Sequence, residues 1–318
     1  MVRPRRKVAT PLNIMVCGRE GVGKSVFLRT LLASLALNGK LVDATQATPV
    51  PIGSADTRIK VHQPVDVDVA PGLRVALTLI DTPGLPYSAS ATGDAAQSAE
   101  MATVVGYIES QFERFLIEEL KVKRNAKSHD TMVHAVLYLL PPMVPFHPVD
   151  LAAIQTLSVR ANVIPLLAHA DSITNRQLET IKAALYKTLA DTMPLLDFAT
   201  ADMDGDGTID DDEEEQFVAE MAELKGALPL TVIGAEFPLP GQPKGASEYL
   251  EIDGKKVLGR AYKWGAVNVD DPEHCELHRL KFLIFDFALP GLLASTKNIL
   301  YESYRTERLM AHAGGKQA

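Results

Sequence analysis

The chain has 318 residues, 47% of them hydrophobic, and carries a net charge of −8 at neutral pH. That length suits one large domain or two small ones, and the negative charge argues against nucleic acid as the main partner. Two cysteines, Cys17 and Cys275, are too few for a disulfide framework, so a reducing, cytoplasmic setting is expected. No apolar run is long enough to span a bilayer, and the charged amino terminus is not followed by the apolar stretch of a secretory signal.

Residues 1–11 form a basic tail with Arg3, Arg5, Arg6 and Lys7. At about 1 kcal/mol per basic residue near an anionic bilayer, these four give a weak, reversible membrane contact at most. Leu12–Cys17 reads as a buried strand, and Gly18-Arg19-Glu20-Gly21-Val22-Gly23-Lys24-Ser25 is a G-x-x-x-x-G-K-S string. Val26–Leu37 then follows a helical pattern. Strand, glycine-rich loop and helix in that order make a phosphate-binding loop. Backbone N–H groups turn inward around an anionic oxygen, and the helix points its positive end at the same place. Lys24 would reach the terminal phosphates, and the Ser25 hydroxyl would meet a Mg²⁺ ion.

Residues 39–59 lose periodicity and contain Pro49, Pro51 and Gly53, the pattern of a long connection that senses a terminal phosphate. Val61–Val69 alternates, Pro71-Gly72 turns, and Leu73–Ile80 returns, which predicts an antiparallel hairpin. Asp81-Thr82-Pro83-Gly84 follows. An aspartate at the end of a strand can hold the metal through water, and Gly84 can offer a backbone N–H to the terminal phosphate. Tyr87–Ala95, rich in Ser and Ala, reads as a second mobile loop.

Thr103–Leu120 has helical period, with Val104, Ile108, Phe112, Phe115, Leu116 and Leu120 on one stripe. Thr131–Leu140 is a continuous apolar run in which His134 reads as a core histidine. Pro141–Pro148 holds four prolines and must be irregular, Asp150–Arg160 is helix, and Asn162–Ala168 is another buried strand. That strand delivers Asp171, whose carboxylate can accept from both the N1–H and the exocyclic amine of guanine. Adenine presents an acceptor there, and a site that leaves a buried group unpaired discriminates by roughly 10⁴. GTP is therefore preferred to ATP. A phosphate-loop ATPase or kinase would need a different base reader.

Asp202–Glu213 fits a calcium loop at every ligand position: Asp202, Asp204, Asp206, the Thr208 carbonyl, Asp210 through water, and Glu213. The competing reading is an ordinary acidic stretch. Pro194 interrupts the incoming helix, and no partner loop is present. From Ser295 to Met310 the pattern is helical again, and residues 314–318 follow without heptads for a coiled coil.

The chain resembles the septins, filament-forming GTPases of the phosphate-loop class. The resemblance runs from about Leu12 to Leu309 and rests on YIESQFERFLIEEL (107–120), VHAVLYLLPP (133–142), NVIPLLAHAD (162–171), LPLTVIGA (228–235), GRAYKWGAVNVDDPEHC (259–275) and YESYRTERL (301–309). It implies an α/β, three-layer GTPase domain with a mostly parallel central sheet, a septin-specific β-meander and C-terminal helices. The expected plan is a tail over 1–11, a GTPase domain over 12–294 and a helix with its tail over 295–318. Within that domain the acidic insertion would span 200–215 and the septin-specific region 236–275.

By the same resemblance, Gly18 to Val26 hold the phosphates, and Thr57 meets Mg²⁺ and the terminal phosphate beside Ser25 and Asp81. Lys24, Thr57 and Gly84 are the catalytic candidates. His169, Asp171, Gly234 and Arg260 would surround the guanine, and Arg260, Trp264 and His274 would lie on the face where two such pockets meet. From the residues alone, Trp264 reads as a core aromatic and Arg260 as a surface charge. The expected assembly is with itself or other septins, in the cytoplasm, at the cytoskeleton or cell cortex.

Several positions depart from the family. His169 stands where lysine is usual, which weakens guanine binding by on the order of 1 kcal/mol. Pro86-Tyr87 replaces glycine-aspartate, and the 141–148 loop lacks a glycine-histidine-glycine run. Leu85 leaves no glutamine or histidine to orient the attacking water. Slow hydrolysis is expected, with a non-hydrolysing, nucleotide-occupied structural subunit as the rival reading.

Overall fold

The computed structural model describes residues 9–42, 59–70, 72–86, 91–121, 130–190, 196–200, 211–237, 249–252 and 254–314. The first strand, β1 (Thr10–Gly18), is buried from Leu12 onward, because its residues are apolar or small apart from Asn13, whose side chain is satisfied by the Asp130 and Met132 carbonyls. Strands buried on both faces belong at the centre of a parallel sheet. β1 lies there, between β4 (Leu73–Asp81) and β5 (Ala135–Leu140), parallel to both.

β6 (Asn162–Leu167) and the short β7 (Leu230–Thr231) extend the sheet in parallel beyond β5. On the other side, β2 (Lys60–Val61) and β3 (Val65–Ala70) both run antiparallel to β4. The expected hairpin is therefore present, with Val65 and Val67 facing the core. The result is a seven-stranded, mostly parallel sheet.

Right-handed crossovers decide the layers. Helix α1 (Lys24–Leu37) leaves β1 toward β4, while α2 (Ala91–Glu119) and α3 (Pro148–Ser158) serve crossovers in the opposite direction and cover the other face. The α2 stripe is largely as expected: Val104, Ile108, Phe112 and Leu116 are buried. Leu120 is not, being 72% exposed, because the helix ends at Glu119 and the stripe ends with it. The mobile loop expected over 87–95 is also too long: α2 already includes Ala91, and alanine is the strongest helix former.

Helices α4 (Asn175–Ala190) and α5 (Asp211–Ala227) lie between β6 and β7 in sequence. Two small antiparallel pairs follow, β8 (Leu250–Ile252) with β9 (Lys255–Val257), and β10 (Gly259–Tyr262) with β11 (Gly265–Asn268). The chain ends in α6 (Leu277–Lys281), α7 (Leu289–Ser295) and α8 (Glu302–Gly314), linked by π-helical turns. The helical end thus begins before Ser295. Lys281 Nζ donates to Ser34 Oγ at 2.8 Å, which sets α6 on the same face as α1.

The edge of the sheet away from the strand ends that carry the loops is closed by a buried polar set. His134 is 1% exposed, and its Nδ1 accepts from the Asn13 N–H at 2.9 Å while Nε2 faces Asp130. It is a core histidine, as the apolar run predicts. Asn162 donates to the His134 carbonyl at 2.8 Å and accepts from Ser295 Oγ at 2.8 Å, tying α7 to the sheet. At the other helical end, Arg160 joins α8 through Glu307 and α2 through Glu109.

Candidate functional site

In an open α/β sheet, ligands sit beyond the carboxyl ends of the strands where the crossovers diverge. Here that point lies between β1 and β5, and the segments that converge on it are 18–25, 81–86, 141–147 and 168–171. The phosphate loop is therefore at the place the topology favours.

Gly21 and Gly23 both have positive φ, 80° and 89°, so successive N–H groups curl to one side, as an anion-binding nest requires. Gly23 caps α1 without any side-chain acceptor, which leaves the first-turn N–H groups for an external one. Lys24 is 8% exposed, and its Nζ donates to the carbonyls of Arg19 at 2.8 Å and Gly18 at 3.3 Å. Burial pushes its pKa down, partly offset by the Asp81 and Glu20 charges. A phosphate would supply the counter-charge that this ammonium partly lacks.

Ser25 Oγ donates to Asp81 Oδ2 at 2.5 Å. Asp81 is 5% exposed, and its Oδ1 is buried with no hydrogen-bond partner. An orphaned carboxylate oxygen beside a serine hydroxyl suits a hard, oxygen-seeking cation such as Mg²⁺. The other expected metal residue, Thr57, lies outside the described residues, as do the calcium-loop positions 202–210 and the basic residues 3–7. Glu213 falls within α5, whose first residues have no described side chains.

The segment after Asp81 is zipped to the phosphate loop. The Leu85 N–H donates to the Gly18 carbonyl at 3.1 Å, and the Glu20 N–H donates to the Leu85 carbonyl at 3.0 Å. Gly84 lies so close that an added Cβ would fall 2.3 Å from Glu20 Cα, so only glycine fits. Leu85 is 2% exposed. A second anchor escapes the sequence reading altogether. Arg19 meets Asp150 through Nε at 3.0 Å and Nη2 at 2.6 Å, and Tyr138 donates to the same carboxylate at 3.0 Å. All three are buried, so the first residue after Gly18 is fixed to α3 and β5. Only the apolar context of Tyr138 and the position of Asp150 in the first turn of α3 hinted at it.

At the opposite end of the site, His169 adopts left-handed backbone (φ 55°, ψ 42°), an uncommon state for a side-chain-bearing residue, and its ring Cε1 lies near Gly23. Asp171 follows in a short 3₁₀ turn. Its side chain is 4% exposed, and Oδ2 accepts from Arg260 Nη1 at 3.2 Å and from the Tyr262 hydroxyl. Oδ1 is buried and has no hydrogen-bond partner. The Arg260 of β10 is thus the ion-pair partner of Asp171 and not a free surface charge. Gly234 sits against α1, where an added Cβ would fall 2.9 Å from Val26 Cγ1.

Trp264 is 72% exposed and stacks on Tyr262, with centroids 4.7 Å apart and planes 5° from parallel. The core reading for Trp264 is therefore wrong: the β10–β11 turn carries it outward. His274 is half-exposed and closes the end of β11, its Nδ1 accepting from the Asn268 N–H at 3.1 Å. Tyr262, unlike its neighbours, is not picked out by any pattern in the sequence, since strand alternation does not mark a hydroxyl donor.

Comparison with known proteins follows the same lines. The septin family profile matches residues 9–318. Septin homolog spn3 of Schizosaccharomyces pombe is 30% identical over 311 residues, covering 95% of this chain and 74% of that protein. Septin-12 of Homo sapiens is 30% identical over 309 residues, covering 95% and 76%. Among solved structures, the septin GTPase domain from Chlamydomonas reinhardtii superposes with a TM-score of 0.62 at 21% identity, covering 94% of this chain and all of that one. Cdc11 from Saccharomyces cerevisiae gives 0.52 at 22%, covering 94% and 99%. These likenesses establish the α/β septin fold.

Proposed function

Since the chain belongs to the septin family, we propose that it binds GTP or GDP with Mg²⁺ and assembles through its nucleotide-facing surface into dimers or filaments. Family membership carries guanine-nucleotide binding, cytoskeletal scaffolding and GTPase activity in general terms. The assignment of roles to residues is our reading. Gly18 to Val26 wrap the phosphates, Lys24 neutralises them, and Ser25, Asp81 and Thr57 hold the metal. Asp171 reads the base, flanked by His169, Gly234 and Arg260. Bound Mg²⁺ would neutralise charge on the phosphates.

The observation that carries this reading is the pair of orphaned oxygens, Asp81 Oδ1 and Asp171 Oδ1. Each lies at one end of the site, and buried polar groups without partners are rare in native proteins. One suits the metal beside the phosphates and the other an N–H of the purine.

Hydrolysis is slow in this reading, because Leu85 is buried with both backbone groups bonded to the loop and offers nothing to orient water. The same observation favours a second reading, a subunit that keeps its nucleotide and never hydrolyses it. Phosphate release by purified protein with Mg²⁺, compared with Lys24→Ala, separates them. Release above that control supports the enzyme, and equality supports the structural subunit.

Assembly would use the face bearing Arg260, the outward Trp264 and His274, joining copies of this chain or other septins in the cytoplasm or at the cell cortex. Arg3, Arg5, Arg6 and Lys7 add weak contact with anionic membrane. The Asp202–Glu213 stretch is a calcium site by its ligand spacing. Titration calorimetry beside Asp202→Ala tests it: heat below millimolar calcium is expected, and its absence ends the idea.

A further inference from the structure

Asp171 is loaded asymmetrically. Its Oδ2 takes two donors, Arg260 Nη1 and the Tyr262 hydroxyl, whereas its buried Oδ1 takes none. A carboxylate can rotate about its Cβ–Cγ bond, and donors gathered on one oxygen resist that rotation. A guanine needs the opposite of freedom here: one oxygen for N1–H and the other for the exocyclic amine, both in the plane of the base. Each oxygen has two lone-pair directions: both on Oδ1 are open to the purine, and on Oδ2, where Arg260 and Tyr262 fill them, the longer Arg260 contact at 3.2 Å would give way to the exocyclic amine while the phenol holds.

We propose that Tyr262 is a positioning residue for base recognition, its phenol orienting the Asp171 carboxylate toward guanine and its ring coupling that carboxylate to exposed Trp264. The proposal rests on the reading of Asp171 as the base reader and adds a residue to it. Three features point to a polar role for Tyr262 beyond packing. Its ring is only partly buried, so core filling does not explain it. It stacks on Trp264 with its faces, which a phenylalanine would do equally well. Only the hydroxyl reaches Asp171, across 91 positions of sequence. Burial and the bond to Asp171 raise the Tyr262 pKa, which keeps the phenol a donor at neutral pH. Arg260 alone would supply charge, and the phenol adds a second donor that fixes direction.

The coupling to Trp264 follows from the stack. The turn between β10 and β11 puts residues 262 and 264 face to face, and a shift of the phenol on base binding moves the indole's neighbour directly. Trp264 is the sole tryptophan of the chain, so its emission reports on this contact without ambiguity.

The test uses the full chain and its Tyr262→Phe variant, titrated with GDP and with inosine diphosphate, which keeps N1–H but lacks the exocyclic amine. Wild type should prefer GDP. The variant should lose about tenfold in GDP affinity, in keeping with a hydrogen bond to a charged group, and less for inosine diphosphate, so the preference narrows. GDP should change Trp264 emission in wild type and change it less in the variant. Unchanged GDP affinity, or equal losses for both ligands, would overturn the positioning role, since a merely structural tyrosine moves both alike. Silent emission in a GDP-binding wild type would overturn the coupling. A wild type that prefers adenine nucleotides or binds neither ligand would instead remove the base-reader assignment beneath it.

Discussion

The two ends of the proposed nucleotide site are built by different means. The phosphate end is one continuous stretch, Gly18 to Ser25, whose backbone would do the holding, with Asp81 and Leu85 brought alongside by the parallel partner of β1. The base end is assembled from side chains far apart in sequence: Asp171 lies 89 positions from Arg260 and 91 from Tyr262. Backbone architecture fixes a charge-binding nest with little tolerance for error, whereas side-chain architecture selects a ligand by donors and acceptors. Grip and choice are separable here, and mutations should separate them.

The largest effect is expected from Asp171→Asn. Replacing the acceptor pair by an amide should lower GDP affinity by roughly 10³- to 10⁴-fold, measured by calorimetry, while inorganic pyrophosphate binding at the loop is kept. An equal loss of pyrophosphate would break the separation of the two ends. Next comes Arg19→Ala, which strands the buried Asp150 carboxylate and should cost about 3–5 kcal/mol in urea unfolding. A loss below about 1 kcal/mol would show that this anchor does not hold the phosphate end.

Gly84→Ala is smaller, about 1–3 kcal/mol, because the new methyl must push Glu20 backbone aside. Hydrogen exchange at the Glu20 and Leu85 amides should rise with it. Unaltered exchange would mean that the loop and the segment after Asp81 are not zipped together.

The smallest effect is a pH dependence of Lys24. Its pKa is lowered by burial, so the unfolded chain binds this proton more tightly than the nucleotide-free fold. Below the folded pKa the ammonium is charged in both states and the penalty is fully present. As pH rises through that depressed value toward the ordinary lysine range, the penalty fades. Nucleotide-free Lys24→Met should therefore melt higher than wild type at neutral pH, by a margin that narrows toward alkaline pH. A margin that widens would contradict the sign.

The difference between the ends also explains what the sequence discloses. A phosphate loop needs contiguous residues, so its strand, glycines, Lys24 and Ser25 stand together and can be read directly. The hairpin of β3 and β4 was legible for a similar reason, since alternation is local. Asp171 was accessible because it follows a buried strand, and Arg260 only through the family resemblance. Arg19–Asp150 and Tyr262–Asp171 are long-range pairs between residues that look ordinary in their own neighbourhoods. Residues 91–95 misled because Thr92, Gly93 and Asp94 suit a loop by composition, while α2 already includes them between two alanines, the strongest helix formers.

The proposed site is expected above all to choose a guanine base. Releasing the nucleotide that accompanies the purified full chain and identifying it by chromatography addresses this without any mutation. GDP or GTP at close to one per chain is the predicted result. An adenine nucleotide in its place would contradict the assignment of Asp171 and with it the account of the base end.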